Sequence, residues 1–163
     1  MDIQSRFTKV IKENDGLIFK VATLYTNSHQ DRKDLYQEIV YQLWKSFGSF
    51  NGQAKLSTWM YRVALNTAIY SLKQAKRRID TIPFDVEKDQ FPEELDKTEE
   101  ERIKMLHEHI QRLNLLERGI ILLYLEGKSY EEIATIIGIT TSNVGTRISR
   151  IKEKLKSNIT KKQ

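Results

Sequence analysis

Between Lys128 and Lys156 the chain reads KSYEEIATIIGITTSNVGTRISRIKEKLK, two amphipathic runs broken at a glycine. That pattern fits a short helix, a tight turn and a longer helix. Ser129 stands where the first helix should begin, and Glu132 three residues on can return the capping bond in a Ser-x-x-Glu box. The helix should end at Gly138, where glycine tolerates a left-handed turn, and Ala134 is small enough to let the next helix cross closely. Thr140 then caps the second helix. Along it Val144, Ile148, Ile151 and Leu155 share one face, while Asn143, Arg147, Arg150 and Lys154 share another. One face packs, and the other can meet phosphates. The arrangement suits a recognition helix, whose first residues reach base edges and whose later cations meet the DNA backbone. A helical hairpin with a merely solvated polar row would need both caps, Ala134, Gly138 and Val144 to coincide by chance.

The motif fills only the last third of the chain, so the rest must say what kind of DNA reader this is. At 163 residues there is room for one or two small domains. There is no cysteine, which removes disulfides and cysteine zinc sites and fits a reducing cytoplasm. His107 and His109 lie two apart on a predicted helix, where side chains do not face each other, and His29 is remote, so no metal site is expected. The longest apolar run, Ile120 to Leu125, is too short to span a bilayer, and MDIQSRFTKV lacks the apolar segment of a signal peptide. These readings predict a soluble, cytoplasmic protein without cofactor.

Charge is distributed more tellingly than its net value of +5 suggests. Residues 1–80 carry 13 basic against 7 acidic side chains, residues 81–101 carry 2 against 9, and residues 102–163 carry 12 against 6. Two basic lobes imply two places that can touch a polyanion, and the acidic run between them, with Pro83 and Pro92, reads as a linker. A solvated spacer explains that run more simply than a regulatory segment does.

Helical periodicity runs through both lobes. Apolar residues recur from Ile3 to Val10 and from Leu17 to Tyr25. From Asp31 to Phe47, Leu35, Ile39, Leu43 and Phe47 form one column beside Tyr36, Val40 and Trp44, a broad buried face. Gly48 and Gly52 mark a loop around Phe50 and Asn51. Ser57 or Thr58 can cap the next helix, which runs to a basic end near Arg78. After the acidic run come a helix ending near Leu113, another from Leu115 to Glu126, and the final pair. No segment alternates like a strand, so the chain is read as all-α: two small helical bundles of three or four helices each, joined by an acidic linker.

Three features of the first lobe go beyond packing. Asp34, Gln37 and Glu38 lie on the helix whose other side carries the apolar column, an arrangement that a solvated face explains as well as a docking surface does. On the helix from Lys55 to Arg78, Trp59, Arg62, Asn66, Lys73 and Arg77 fall near one stripe, apart from Met60, Val63, Ala64 and Thr67. Rings stack on unpaired bases, an amide can pair with a base edge and cations hold a backbone, so the stripe suits single-stranded DNA. Taken alone, Trp59 is more simply a core residue. The loop Phe50-Asn51-Gly52 can close over an extruded base, although an ordinary exposed turn uses the same residues.

These residues carry a resemblance. Asp34-Leu35-x-Gln37-Glu38, then Trp44, Phe50-x-Gly52, Ser57-Thr58-Trp59-Met60-Tyr61-Arg62-Val63-Ala64 and Asn66, followed by a basic end and a C-terminal helix-turn-helix, resemble a bacterial extracytoplasmic-function (ECF) RNA polymerase sigma factor. The likeness covers nearly the whole chain. It implies a sigma region 2-like domain over residues 1–80, an acidic linker over 81–101 that runs into the first helix of the next domain, and a sigma region 4-like domain over 102–163.

The resemblance also implies roles. Asp34, Leu35, Gln37 and Glu38 would dock on core polymerase, at the clamp helices of its β′ subunit, with the β flap as a further contact of the enzyme. Phe50 and Asn66 would capture a base flipped from the non-template strand of the minus-ten element, with Asn51, Trp59, Arg62, Lys73 and Arg77 on the same melting surface. Thr141, Ser142, Asn143, Thr146, Arg147 and Arg150 would enter the major groove at the minus-thirty-five element. Promoter DNA and a cognate anti-sigma factor are the other partners implied. The chain departs from the family pattern in two respects: Gln53, Ala54 and Lys55 follow Gly52 where an acidic or serine residue is frequent, and Tyr70 stands where aspartate is common. Two further classes stay open from the residues alone, a free-standing helix-turn-helix regulator and an antagonist that occupies polymerase without initiating. No nucleophile and base pairing, phosphate loop or metal cluster argues for an enzyme.

Overall fold

Most of the helices start where a short polar side chain satisfies a free backbone donor. In α1, Ile3–Glu13, the Asp2 carboxylate accepts from the Ser5 N–H at 2.7 Å. Ser28 does the same for α3, His29–Phe47, by accepting from Asp31. Between them lies α2, Asp15–Leu24, which begins one residue after α1 ends its cap at Asn14. The fourth helix, α4, spans Leu56–Ile79. The computed structural model describes residues 2–79 and 98–160, the side chains of 77–79 and 158–160 excepted.

The second lobe opens with α5, Glu99–Gln111, where Thr98 and Glu101 form a reciprocal capping box. Asn114 and Glu117 form another at α6, Leu115–Leu125. Then come α7, Tyr130–Ile137, and α8, Thr141–Thr160. Among the described residues every element is helical. Residues 81–97 of the acidic segment lie outside the described residues, and its last three residues already belong to α5.

Two expected caps take a different form. Ser129 accepts from the Glu132 N–H, but Glu132 turns its carboxylate toward Lys128 at 3.7 Å and makes no return bond to the cap. A cation one turn away competes for that carboxylate. Neither Ser57 nor Thr58 caps α4, because the helix already begins at Leu56. Thr58 is buried, and the Ser57 hydroxyl accepts from Lys128 of the other lobe at 3.3 Å.

The first lobe is held by α2, α3 and α4, each packed against the other two. Leu35, Ile39, Leu43 and Phe47 are buried against Ile18, Val21, Met60, Ala64 and Ala68. Helix α1 adds Phe7, whose ring meets Trp44 at 5.1 Å and Phe47 at 5.2 Å. Trp44 itself stays 41% exposed, outside the column it was expected to flank. In the second lobe Val144, Ile148, Ile151 and Leu155 of α8 are buried with Ile120, Leu123, Ile133 and Ile136. The buried residues of both lobes form one continuous apolar cluster, because α6 and α7 lie against α4, and α5 lies against α2.

Candidate nucleic-acid interface

Helix α7 ends at Gly138, whose φ of +87° is the left-handed turn expected there. The N–H groups of Gly138 and Ile139 both bond the Ala134 carbonyl, at 2.8 and 3.2 Å, so the turn is closed by backbone alone. Thr140 accepts from the Asn143 N–H at 3.1 Å and fixes the start of α8. Thr141, Ser142, Thr146 and Arg150 are exposed. Asn143 and Arg147 are half-buried and bonded to each other through Nε to Oδ1 at 3.2 Å, which holds the guanidinium along the helix. The row stops at Arg150. Lys154, expected to continue it toward phosphates, reaches back to the buried Glu117 carboxylate at 2.8 and 3.1 Å, because an enclosed carboxylate needs a counter-charge more than solvent does.

On α3, Asp34, Gln37 and Glu38 are exposed on the side away from the core. Asp34 accepts from Gln30, and Glu38 accepts from Gln42 at 3.0 Å, so both carboxylates are oriented by neighbours one turn away. Leu35, which the polymerase motif also includes, is 6% exposed, as its place in the apolar column four residues before Ile39 requires. It sets the rotation of the helix beneath the polar residues.

On α4 the expected stripe divides. Asn66 and Lys73 are exposed, Arg77 lies on the helix with its side chain outside the described set, and Trp59 is half-buried. The Trp59 ring stacks on Phe50 at 4.9 Å with 29° between planes and meets Phe47 at 6.3 Å. Trp59 is therefore both a core contact and one half of an aromatic pair whose other half comes from the loop. Asn51 accepts from the Gln53 N–H at 3.1 Å, and Gly52 takes φ +78°, so this loop is a side-chain-braced turn. Tyr70, at the departure position, is 65% exposed.

Arg62 is exposed, yet its guanidinium donates to the Thr135 carbonyl of α7, across the lobes. Its neighbour Tyr61 is buried beneath Lys128, whose Nζ lies 5.7 Å from the ring centre. Burial first, and then the Glu126 carboxylate, push the Tyr61 phenol up to about 12. These lobe-to-lobe contacts escaped the sequence reading. Its one available signal was Gly119, a glycine inside the apolar run LLERGIILLYL. Among the described residues no group of His, Asp and Glu side chains is placed to hold a metal, and no helix is long and apolar enough to cross a membrane.

The chain matches the family described as Sigma-70 region 2 over residues 10–78 and that described as Sigma-70, region 4 over residues 103–155. It is 34% identical to the ECF RNA polymerase sigma-E factor of Haemophilus influenzae over 154 residues, 86% of this chain and 82% of that protein. It is 32% identical to the ECF RNA polymerase sigma-E factor of Escherichia coli K12 over 169 residues, 96% of this chain and 87% of that one. Among solved structures, the sigma factor RpoE in complex with the anti-sigma factor NepR from Bartonella quintana matches with a TM-score of 0.75 at 19% identity, covering 95% of this chain and 97% of that one. CnrH in complex with the cytosolic domain of CnrY matches with a TM-score of 0.69 at 18% identity, covering 98% and 91%. At those identities the structural likeness speaks for the fold. With both sigma regions present in one chain, in order, and with relatives above 30% identity along most of its length, the protein belongs to the ECF RNA polymerase sigma factors, which act in transcription initiation.

Proposed function

We propose that this chain binds core RNA polymerase through the outer face of α3, brings it to promoters with the start of α8, and helps open the minus-ten region with α4 and the loop before it. The observation that carries the reading is the pair of sigma regions matched at residues 10–78 and 103–155. Asp34, Gln37 and Glu38 are the polymerase-facing residues, with Leu35 positioning them from beneath. The β′ clamp helices and the β flap are the parts of the enzyme engaged. Phe50, Asn51, Trp59, Arg62, Asn66, Lys73 and Arg77 serve the minus-ten element, and Thr141, Ser142, Asn143, Thr146, Arg147 and Arg150 the minus-thirty-five element. The domains are those of residues 1–80 and 102–163, with 81–101 as the connection.

The chain contributes no catalysis. Its part is positional, since phosphate contacts fix register, base-edge contacts specify sequence and stacked rings hold unpaired bases. Acting with polymerase places it in the cytoplasm, and an anti-sigma factor is its regulator, as NepR is bound to the solved RpoE of Bartonella quintana. A free-standing regulator would leave the polar face of α3 and the Phe50–Trp59 pair without a use.

Run-off transcription with core polymerase on genomic fragments is expected to give discrete start sites that depend on the added chain. No transcript, with no polymerase subunit recovered by the tagged chain, would overturn the reading. Trp59→Ala or Asn66→Ala should leave polymerase binding intact while reducing promoter opening about tenfold, the loss of roughly one stacked or paired base. Gln37→Ala with Glu38→Ala should instead weaken the enzyme contact first.

A further inference from the structure

We propose that Tyr70 is a further stacking residue of the minus-ten surface, its ring receiving the unpaired base next to the one that Asn66 and Phe50 hold. The inference deepens the promoter reading above and rests on it. What it adds is a residue that reading leaves unused.

The first observation is the ring itself. At 65% exposure, Tyr70 is the most exposed large hydrophobic side chain among the described residues. The other exposed aromatics lean on something. Trp44 meets Phe7, Arg32 lies 5.0 Å over Phe19, Lys45 lies 5.6 Å over Tyr41, and the Tyr130 ring lies against Gly145 of α8. Among the described residues Tyr70 has no hydrogen bond, ring contact or cation. An aromatic side chain contributes most where its face is covered, and nothing in the described chain covers this one.

The second observation is its place. Tyr70 follows Asn66 by four residues and precedes Lys73 by three, so the three share one face of α4. Trp59, eleven residues back, falls on the same stripe. The neighbours one turn away on either side are Asn66, Thr67, Lys73 and Gln74, all polar. The whole of α4 carries Arg62, Lys73, Lys76, Arg77 and Arg78 and no acidic residue. Single exposed apolar side chains are ordinary on protein surfaces. A lone ring on a cationic face without carboxylates is not an apolar patch for a protein partner, however. It is the composition that binds single-stranded nucleic acid, with cations tracking phosphates and a ring turned to the bases.

The third is spacing. At 1.5 Å of rise per residue, Asn66 and Tyr70 are about 6 Å apart along the axis, less than two base steps at about 3.4 Å. A strand laid along α4 from the base at Asn66 therefore brings its next base to Tyr70, and Lys73 meets the phosphate beyond. Trp59 lies about 16 Å from Tyr70 along the helix, so rings stand at both ends of the stripe with Arg62 and Asn66 between them. An ionised aspartate at this position would only accept hydrogen bonds and would repel phosphates. A tyrosine offers a face that every base can cover, so it registers that a base is unpaired and not which base it is.

The test uses core polymerase reconstituted with the full chain, on a promoter that run-off transcription identifies. Opening is followed by 2-aminopurine fluorescence in the non-template strand of the minus-ten region, with single abasic sites scanned along that strand. Tyr70→Ala should reduce opening about tenfold, and Tyr70→Phe should stay within about twofold of the unmodified chain, because the ring and not the hydroxyl is used. One abasic site should reproduce the loss in the unmodified complex and cost nothing further with Tyr70→Ala, the mark of two groups that act only on each other. Changing the base at that site should matter less than removing it. Tyr70→Ala should leave the salt dependence of binding unchanged, while Lys73→Ala should lower it by about one phosphate contact. Full opening by Tyr70→Ala would overturn the proposal, as would a Tyr70→Phe defect equal to that of Tyr70→Ala, or an abasic scan without a masked site. A lowered urea midpoint in Tyr70→Ala would make the residue structural and overturn it too. An unmodified chain that directs no start sites would refute the promoter reading, whereas start sites used at full strength by Tyr70→Ala would refute this proposal alone.

Discussion

Glu117 and Lys154 show how a single pairing can remove a cation from a nucleic-acid surface. The carboxylate is 9% exposed on its side chain and holds both the α6 cap and the Lys154 ammonium. Lys154 is 55% exposed, so solvent screens the pair, and Lys154→Ala is expected to lower stability by only about 1 kcal/mol. Arg150, exposed four residues earlier, should behave in the opposite way. Arg150→Ala should leave the urea midpoint unchanged while weakening minus-thirty-five duplex binding and lowering its dependence on salt by about one phosphate contact. If Lys154→Ala proves the stronger DNA-binding defect, the assignment of Lys154 to structure is wrong.

At the level of the element, the helix-turn-helix depends on two backbone details. Gly138 needs its left-handed φ, so Gly138→Ala should destabilise by about 1 kcal/mol. Ser129 bonds the Glu132 N–H, so Ser129→Ala should remove about 1 kcal/mol. Both losses should appear as a lower denaturation midpoint of the second lobe, and a midpoint unmoved by either would mean that tertiary contacts alone set the ends of α7. The same element shows where sequence reasoning stops short. The helix boundaries, the left-handed glycine and the apolar face of α8 were legible from spacing and residue type, because local sterics and capping chemistry decide them. Glu132 was expected to complete the cap and instead turns to Lys128, since two charges one turn apart attract more strongly than a cap N–H. The column on α3 was equally legible, Leu35 included, but Trp44 was read with it and stays 41% exposed. Burial, a property of what packs against α3, separates them.

For the whole molecule, one contact between the lobes is coupled to a histidine. Gln111 of α5 donates to the Thr26 carbonyl and is paired with His107 Nε2 at 3.0 Å, a nitrogen that accepts only while the ring is neutral. Burial lowers the His107 pKa; Glu108 opposes that shift and Arg118 adds to it. With the folded value depressed, the neutral ring's contribution is present above the ordinary histidine value of about 6.5 and is lost as pH falls through the folded value beneath it. The urea midpoint should therefore hold from pH 8 to about 6.5 and decline below, and His107→Gln should flatten that part of the decline. Identical pH profiles for the two proteins would show that the ring does not titrate against this contact.

Sequence by itself determined the helices, most of their caps, the two charged lobes, and the residue types of the proposed DNA-reading surfaces, because each follows from interactions within a few residues along the chain. Only tertiary structure decided that Lys154 answers Glu117, that Trp59 leans on Phe50, and that Arg62 reaches Thr135. Two of these join residues on different helices whose meeting depends on packing, and the third depends on how the loop before α4 folds back on it. Gly119 stands at the boundary between the two: visible as an oddity in the sequence, it acquired a reason only when Tyr25 of the other lobe was found against it.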